Sequence, residues 1–346
     1  MKILAPVNSV HEAETLVNLG AEEIYCGLST RTWRKGLEQE LWLNRREPGK
    51  ANLESLEELK ELAIVTQRAG AKVFLTLNQP GYAPELYTDI LTTVRQAHEY
   101  CGVDAFIVAD PGLICFLKEA LPPVVIHVSS LAAVLNSAAV SFFSQLGIRR
   151  IIFPRYVEME TMKSIIERGS AHLEYEAFVL NDGCVFEEGY CHVSHAFGGA
   201  FCHNPAWVYK PIKIEEEGSD DQKGQRERLF RVNKETFREH LDEYRRWLWI
   251  GIKNFGGVPS PKGDPLGMCG LCALTQLKEI GVMSLKIVGR EASLKKKAAS
   301  VKLVKGMLDF IEAGHSPEEV RLQAKSIRGV NGLCESEYMC YYRRTE

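Results

Sequence analysis

KVFLTLNQPGYAPELYTDILTTVRQAHEYCGVDAFIVAD, residues 72–110, decides the fold. It opens on an apolar run at 72–78, closes on another at 105–110, and between them places Leu86, Ile90, Leu91 and Val94 at helical spacing as far as Cys101-Gly102. Runs that are apolar on both faces suit strands covered on both sides, and two of them joined by a helix make a parallel crossover unit. Further runs of the same kind stand at 2–7 (KILAPV), 22–27 (EEIYCG), 124–130 (VVIHVSS), 150–155 (RIIFPR), 173–180 (LEYEAFVL) and 284–290 (SLKIVGR). A helical stretch at 53–69, with Leu56, Leu59, Ala63 and Ile64, fits between the second and third strands. Eight strands with helices between them, and no GxGxxG after the first, point to an α/β fold of the (β/α)8 TIM-barrel type rather than an open doubly wound sheet.

Residues 1–202 and 268–313 make up the expected barrel. Residues 203–267 form a charged insertion in which Phe237, Leu241, Tyr244 and Leu248 mark an amphipathic helix, either packed on the rim or acting as a lid or partner surface. Residues 314–346 are a C-terminal extension containing cysteines. Lys286, Arg290, Lys295, Lys296, Lys297, Lys302 and Lys305 make a basic run, read as a solvated face with phosphate or RNA contact as the alternative.

The 346 residues are 45% hydrophobic and 25% charged, the balance of a soluble globular chain. There is no uncharged apolar run near the length of a membrane span and no signal-like apolar segment at the start, so a cytoplasmic location is expected. A net charge of −3 argues against a dedicated nucleic-acid binder while leaving room for a local basic site. Without HExxH, GxSxG or a P-loop, metalloprotease, esterase and NTPase readings have no motif behind them.

In a barrel of this type, functional side chains gather where strands end. Candidate catalytic residues are therefore Arg155, able to hold a carboxylate in bidentate fashion, and Glu176 and Asp110, able to move protons. Asn78 and Ser129 are candidate substrate-binding residues. Asp110 before Pro111-Gly112 equally fits a helix N-cap, and His127 is expected as an interior, hydrogen-bonded histidine.

Ten cysteines stand out in a chain expected in a reducing compartment. Cys26, Cys101 and Cys115 fall in strand-like or helix-like segments and read as core thiols, although Cys26 is placed near the mouth, where it could complete a site. Cys184, Cys191 and Cys202 lie in a glycine-rich loop, Cys269 and Cys272 form a CxxC, and Cys334 and Cys340 sit in the C-terminal extension. These seven read as metal ligands, and both an iron–sulfur cluster and zinc suit thiolates, with His192, His195 and His203 at hand for zinc. Dithiol redox catalysis is the weaker reading, because the CxxC does not open a thioredoxin-like βαβ unit.

Glu176-Ala177-Phe178, Gly183-Cys184, Gly189, Cys191 and Ser194 resemble the signature of the collagenase-like peptidase family of unknown catalytic type, number 32, in which E-x-F precedes C-x6-C-x2-S. LAPVNSVHEAETLVNLGAEEIYCGL, IVADPGLI, IHVSSLAAVLNS and SLKIVGR resemble that family in the same order. The resemblance implies a 4Fe–4S cluster held by four cysteines and oxygen-independent hydroxylation of ubiquinone precursors or of tRNA and rRNA bases. The implied substrate is a small aromatic molecule or an RNA base, with prephenate as hydroxyl source in the RNA branch. The chain is nearer in length to the short forms, which implies a heterodimer with a related family member. It carries the ligand role to Cys184, Cys191 and Cys202, with Cys269 or Cys272 as the fourth. Another partition gives Cys269, Cys272, Cys334 and Cys340 to a second metal site and completes the first with Cys26, a histidine or substrate. Where the family often has His-Gly-Ala-Leu, this chain has Leu180-Asn181-Asp182-Gly183, which opens the chemistry to question. Three function classes follow: an iron–sulfur-dependent hydroxylase or related redox enzyme, a peptidase as the family name implies, and a non-catalytic cluster-binding electron-transfer or scaffold subunit.

Overall fold

The computed structural model describes residues 1–30, 43–44, 51–184, 188–189, 267–329, 334–335, 337 and 339–343. Each expected apolar run forms a strand: β1 (Lys2–Pro6), β2 (Glu23–Cys26), β3 (Lys72–Leu77), β4 (Ala105–Val108), β5 (Ile126–Val128), β6 (Arg150–Ile152), β7 (Glu174–Asn181) and, after the two-residue β8 (Met268–Cys269), β9 (Ser284–Ile287). Neighbours pair in parallel from β1 to β6, β9 lies between β1 and β7, and the β6–β7 pairing closes the ring. The result is an eight-stranded parallel barrel. β8 lies outside the ring, antiparallel to the end of β7 through Leu180↔Cys269 and Asn181↔Met268.

The crossover helices start where a side chain can satisfy their free N–H groups. Ser9 caps α1 (Val10–Asn18), Ser55 caps α2 (Leu56–Arg68) and Asn136 caps α5 (Ser137–Gln145). The expected helix at 84–100 is a 3-10 turn at Pro84–Leu86, α3 (Tyr87–Arg95) and a π turn at Gln96–Tyr100. α4 (Pro111–Ala120) and α6 (Met159–Arg168) follow β4 and β6. α7 (Leu274–Glu279) leads into β9, and α8 (Leu294–Glu312) and α9 (Pro317–Arg328) follow it. The apolar core lies mainly between barrel and helices, where Ile3, Ile24, Val73, Val128, Leu285 and their neighbours are buried. Each fully buried aliphatic side chain there contributes about 1.5–3 kcal/mol.

Inside the barrel the alternation brings a second, largely apolar set of residues inward, among them a few that are charged. Arg150 donates to both oxygens of Glu23 at 2.7 and 2.6 Å, to Glu174 Oε2 at 2.6 Å and to Glu176 Oε2 at 2.9 Å. Lys286 Nζ donates to Glu176 Oε1 at 2.8 Å and stands 4.4 Å from the centre of the Tyr25 ring. Glu176 is therefore the third residue of a long strand, fully buried and engaged on both oxygens, rather than a residue at the strand end.

Other expectations also change. In the basic run Lys286, Arg290 and Lys297 are buried, and Lys297 Nζ donates to Glu12 Oε2 and to the Arg290 carbonyl at 2.6 Å each. These three are packed groups rather than a solvated face: Lys286 and Lys297 are ion-paired with Glu176 and Glu12, and Arg290 is hydrogen-bonded to Thr76 and Asn44. Cys115 is exposed on α4 rather than in the core. Cys26 is buried on the helix side of β2, its thiol facing the Phe74 carbonyl at 3.9 Å, and burial pushes its pKa up to about 12 against the pull of Arg290. It is a core thiol turned away from the mouth. The 203–267 insertion, apart from residue 267, lies outside the described residues. Among the described residues no helix is long and apolar enough to cross a membrane.

Candidate functional site

The C-terminal ends of the strands carry two arginines. Arg155, half-buried just past β6, stacks on Phe178 with 3.8 Å to the ring centre, donates from Nε to the Asp182 carbonyl at 3.0 Å and pairs through Nη1 with Glu188. The Glu188 carboxylate also accepts from the Arg155 backbone N–H at 3.0 Å and from Ser130 Oγ at 2.6 Å. Burial opposes the charge on Arg155, but Glu188 outweighs it and holds the guanidinium charged. Arg155 thus does hold a carboxylate, that of its own chain.

Arg290, just past β9, is buried and donates to Thr76 Oγ1 at 3.0 Å and to Asn44 Oδ1 at 2.8 Å. Asn44 Nδ2 in turn donates to Asn52 Oδ1 at 2.8 Å. Sequence reasoning placed Arg290 at the end of the 284–290 run and in a basic run but not among the site residues, and it missed Asn44, Asn52 and Ser130 as site residues. The one available signal was that Arg290 directly follows an apolar strand.

Asp110 sits at the end of β4 as a cap. Its Oδ1 accepts from Gly112 and Leu113 N–H at 2.8 and 3.3 Å, and its Oδ2 from Tyr82 N–H and Tyr87 Oη, both at 3.0 Å. These four bonds occupy the carboxylate, which favours the capping alternative. Ser129 is buried and its Oγ accepts from Leu131 N–H at 3.3 Å, while Asn78 is half-buried one residue past β3. His127 is interior, edge-on to Phe74 with 4.6 Å between ring centres. Its Nδ1 has no hydrogen-bond partner among the described residues, which departs from the expected bonded histidine.

β7 ends at Asn181, whose φ of 83° is a left-handed conformation rare for a residue other than glycine. Its amide holds it there by donating to the Val288 carbonyl at 3.1 Å and Ser300 Oγ at 3.0 Å, while its buried Oδ1 lacks a partner among the described residues. The turn delivers Cys184, exposed and close enough to Arg155 to act on its charge. Cys191 and Cys202 lie outside the described residues.

The other four loop cysteines meet. Cys269 in β8, Cys272 in the 3-10 turn Leu271–Ala273, and Cys334 and Cys340 line one cavity of about 450 Å³ together with α9. Burial raises the Cys272 thiol to about 12, and the facing Cys269, Cys334 and Cys340 push it the same way. No three His, Cys, Asp or Glu among the described residues close on a single metal ion.

The model of Peptidase family U32 matches residues 8–346. The chain belongs to peptidase family U32. Within U32-related sequences it is 31% identical over 147 residues to the 23S rRNA 5-hydroxycytidine C2501 synthase of Escherichia coli K12, covering 42% of this chain and 21% of that one. It is 23% identical over 314 residues to tRNA hydroxylation protein P1 of Bacillus subtilis 168, covering 89% and 63%. With the Collagenase of Porphyromonas gingivalis W83 it shares 24% identity over 166 residues, covering 48% and 36%. This U32 chain therefore spans less than two thirds of the length of each of these relatives.

Proposed function

We propose that this U32 protein supports oxygen-independent hydroxylation, or closely related redox chemistry, of an RNA base or a small aromatic molecule at the barrel mouth. The observation that carries the reading is an exposed thiol, Cys184, delivered by the turn after β7 within electrostatic reach of Arg155, in a chain related to RNA hydroxylation proteins. An exposed thiol within reach of a fixed cation suits a cluster ligand, because the cation favours the thiolate. Cys184, Cys191 and Cys202 would hold a 4Fe–4S cluster there, and such a cluster supplies one-electron redox chemistry when bound.

The chain's own residues do the rest. Arg155 and Arg290 set positive charge at the mouth after β6 and β9, the two strands that flank β7, where it can orient an anionic or electron-rich substrate. Glu188 and Asn44 fix those guanidiniums, so that charge is preorganised. Phe178 under Arg155 offers an apolar wall, and Asp110 holds the β4 end rigid as a cap. A cytosolic location and a related chain as partner accompany this reading.

The test is nucleoside and quinone mass spectrometry on a strain lacking the gene and on the same strain complemented with wild type, Arg155→Ala or Cys184→Ser. Loss of one hydroxylated species, restored only by wild type, is expected. An unchanged nucleoside and quinone profile, together with collagen cleavage in air by metal-free protein, would establish the peptidase reading instead.

A further inference from the structure

β8 is too short to hold itself in place, and it is pinned from both sides. Leu180 and Asn181 of β7 pair with one edge, while on the other Cys269 N–H donates to the Met339 carbonyl at 2.8 Å and Tyr341 N–H donates to the Cys269 carbonyl at 3.0 Å. This bridge sets Cys269 and Cys340 side by side, although 70 positions separate them in the chain. The following 3-10 turn brings Cys272 round to the same cavity, and Cys334 joins from the segment after α9. Two chain segments with no local reason to meet thus place four reduced thiols on one cavity.

We propose that Cys269, Cys272, Cys334 and Cys340 hold a 4Fe–4S cluster of their own, outside the barrel ring and separate from the Cys184 group. Four thiolates are the complete ligand set of such a cluster, so the site needs nothing from the mouth. Cys184 is not among the residues lining the cavity.

Size distinguishes the cluster from zinc. A tetrahedral zinc ion holds each sulfur at about 2.3 Å and so gathers the thiols tightly around one point. Here no three potential ligands among the described residues close on one ion, and the cavity is about 450 Å³. A cubane spreads its ligands over four irons and needs that wider frame. Charge does not decide, because the cations on the cavity are matched in number by carboxylates. A cluster with four thiolates is anionic, and Arg321, Lys325 and Arg328 of α9 line the cavity. Glu318, Glu335 and Glu337 line it too, and Glu318 is paired with Arg321. Arg328 is buried and donates to the Gly267 carbonyl at 2.9 Å, which ties the cation wall to the approach to β8.

The full chain, purified anaerobically and reconstituted with iron and sulfide, is assayed for iron, sulfide and zinc, and by EPR after reduction. Wild type is expected to carry about eight irons, and Cys334→Ser/Cys340→Ser and Cys184→Ser/Cys191→Ser about four each. Cys272→Ser, at an exposed position, repeats the test where packing is least disturbed, with circular dichroism confirming the fold. Wild type with about four irons that vanish with Cys334 and Cys340 but survive loss of Cys184 and Cys191 supports this site and overturns the cluster at the mouth. Iron that is indifferent to Cys272, Cys334 and Cys340 overturns the proposal. So does zinc at these thiols in place of iron, or a Cys269–Cys340 disulfide in protein never exposed to air.

Discussion

The guanidinium of Arg290 lies directly against the backbone of Gly27, one residue past β2. A Cβ on residue 27 would overlap Arg290 Nη1 and Asn52 Oδ1 and come within 2.9 Å of Asn44 Nδ2. Those groups are the ends of side chains, but Arg290 is buried and bonded to Thr76 and Asn44, so none can retreat cheaply. Gly27→Ala should cost about 1–3 kcal/mol, the usual range for overpacking, in urea unfolding. It should also lower product formation, as should Arg290→Ala, because both disturb the same guanidinium cradle. Gly306→Ala is the control: nothing lies within 4 Å of a Cβ there, and a helix interior gains about 0.5–1 kcal/mol from the change.

Among the described residues Arg150 is the one cation that touches Glu23, Glu174 and Glu176 together. Removing one partner of a buried ion pair strands the others without water, at a cost of about 3–5 kcal/mol. Arg150→Met should therefore unfold at markedly lower urea. Glu176→Gln should lower the melting temperature as well, because Lys286 then loses its buried counter-charge. A Glu176→Gln protein as stable as wild type would mean that the barrel interior is not held by this network.

His127 makes stability depend on pH. Burial lowers its pKa well below 6.5, and Arg150, Lys286, Lys72 and Arg149 push it the same way, so the folded protein keeps the ring neutral. Below pH 6.5 the unfolded chain binds a proton there that the folded chain does not, so stability falls as pH falls. The difference in unfolding free energy between pH 7.5 and 5.5 should be smaller by about 1.4 kcal/mol in His127→Phe than in wild type. Glu174 acts in a lower window. Burial raises its pKa, but bonding to Arg150 overrides this and leaves it below 4.5, so its contribution is lost only as pH drops through that depressed value. An identical pH slope in the two proteins would show that His127 takes up its proton as readily in the folded protein as in the unfolded chain.

The barrel was legible because each strand is apolar on its helix side and largely apolar inside, so the runs at 72–78 and 105–110 announce themselves. β8 was not, since two residues carry no period and only tertiary pairing makes them a strand. The interior charges were hidden for the opposite reason: Glu23, Arg150 and Glu176 interrupt apolar runs singly, and nothing local shows that they point at one another. For Glu176 this misplaced a buried ion-pair partner at the mouth. Asp110 and Arg155 follow their strands closely, so their places at the strand ends were legible, as was the capping alternative for Asp110, though not that Arg155 pairs with Glu188. The Arg290 cradle draws Asn44, Asn52 and Thr76 from distant positions and was not. Cysteine spacing marked seven loop thiols, but only the fold brings four of them to one cavity.

Tyr341 ties the C-terminal segment to the turn that carries Cys184. Its hydroxyl is placed against the carbonyls of Asn181 and Asp182, at 3.1 and 2.8 Å, and Tyr342 Oη donates to the Phe178 carbonyl at 2.7 Å. Burial pushes the Tyr341 hydroxyl far above its usual range, with Arg155 pulling the other way, so it stays protonated and able to donate. Asn181 is held in a left-handed conformation by contacts from Val288, Ser300 and this segment, and a non-glycine residue there costs about 1–3 kcal/mol unless its surroundings enforce it. Tyr341→Phe keeps the ring between Phe178 and the turn but removes the hydroxyl. Residues 181–184 should then exchange amide hydrogens faster, and Cys184 should react faster with iodoacetamide, while the barrel strands keep their protection. Equal exchange at 181–184 in the two proteins would mean that Val288 and Ser300 alone fix the turn and that the C-terminal segment has no hold on the mouth.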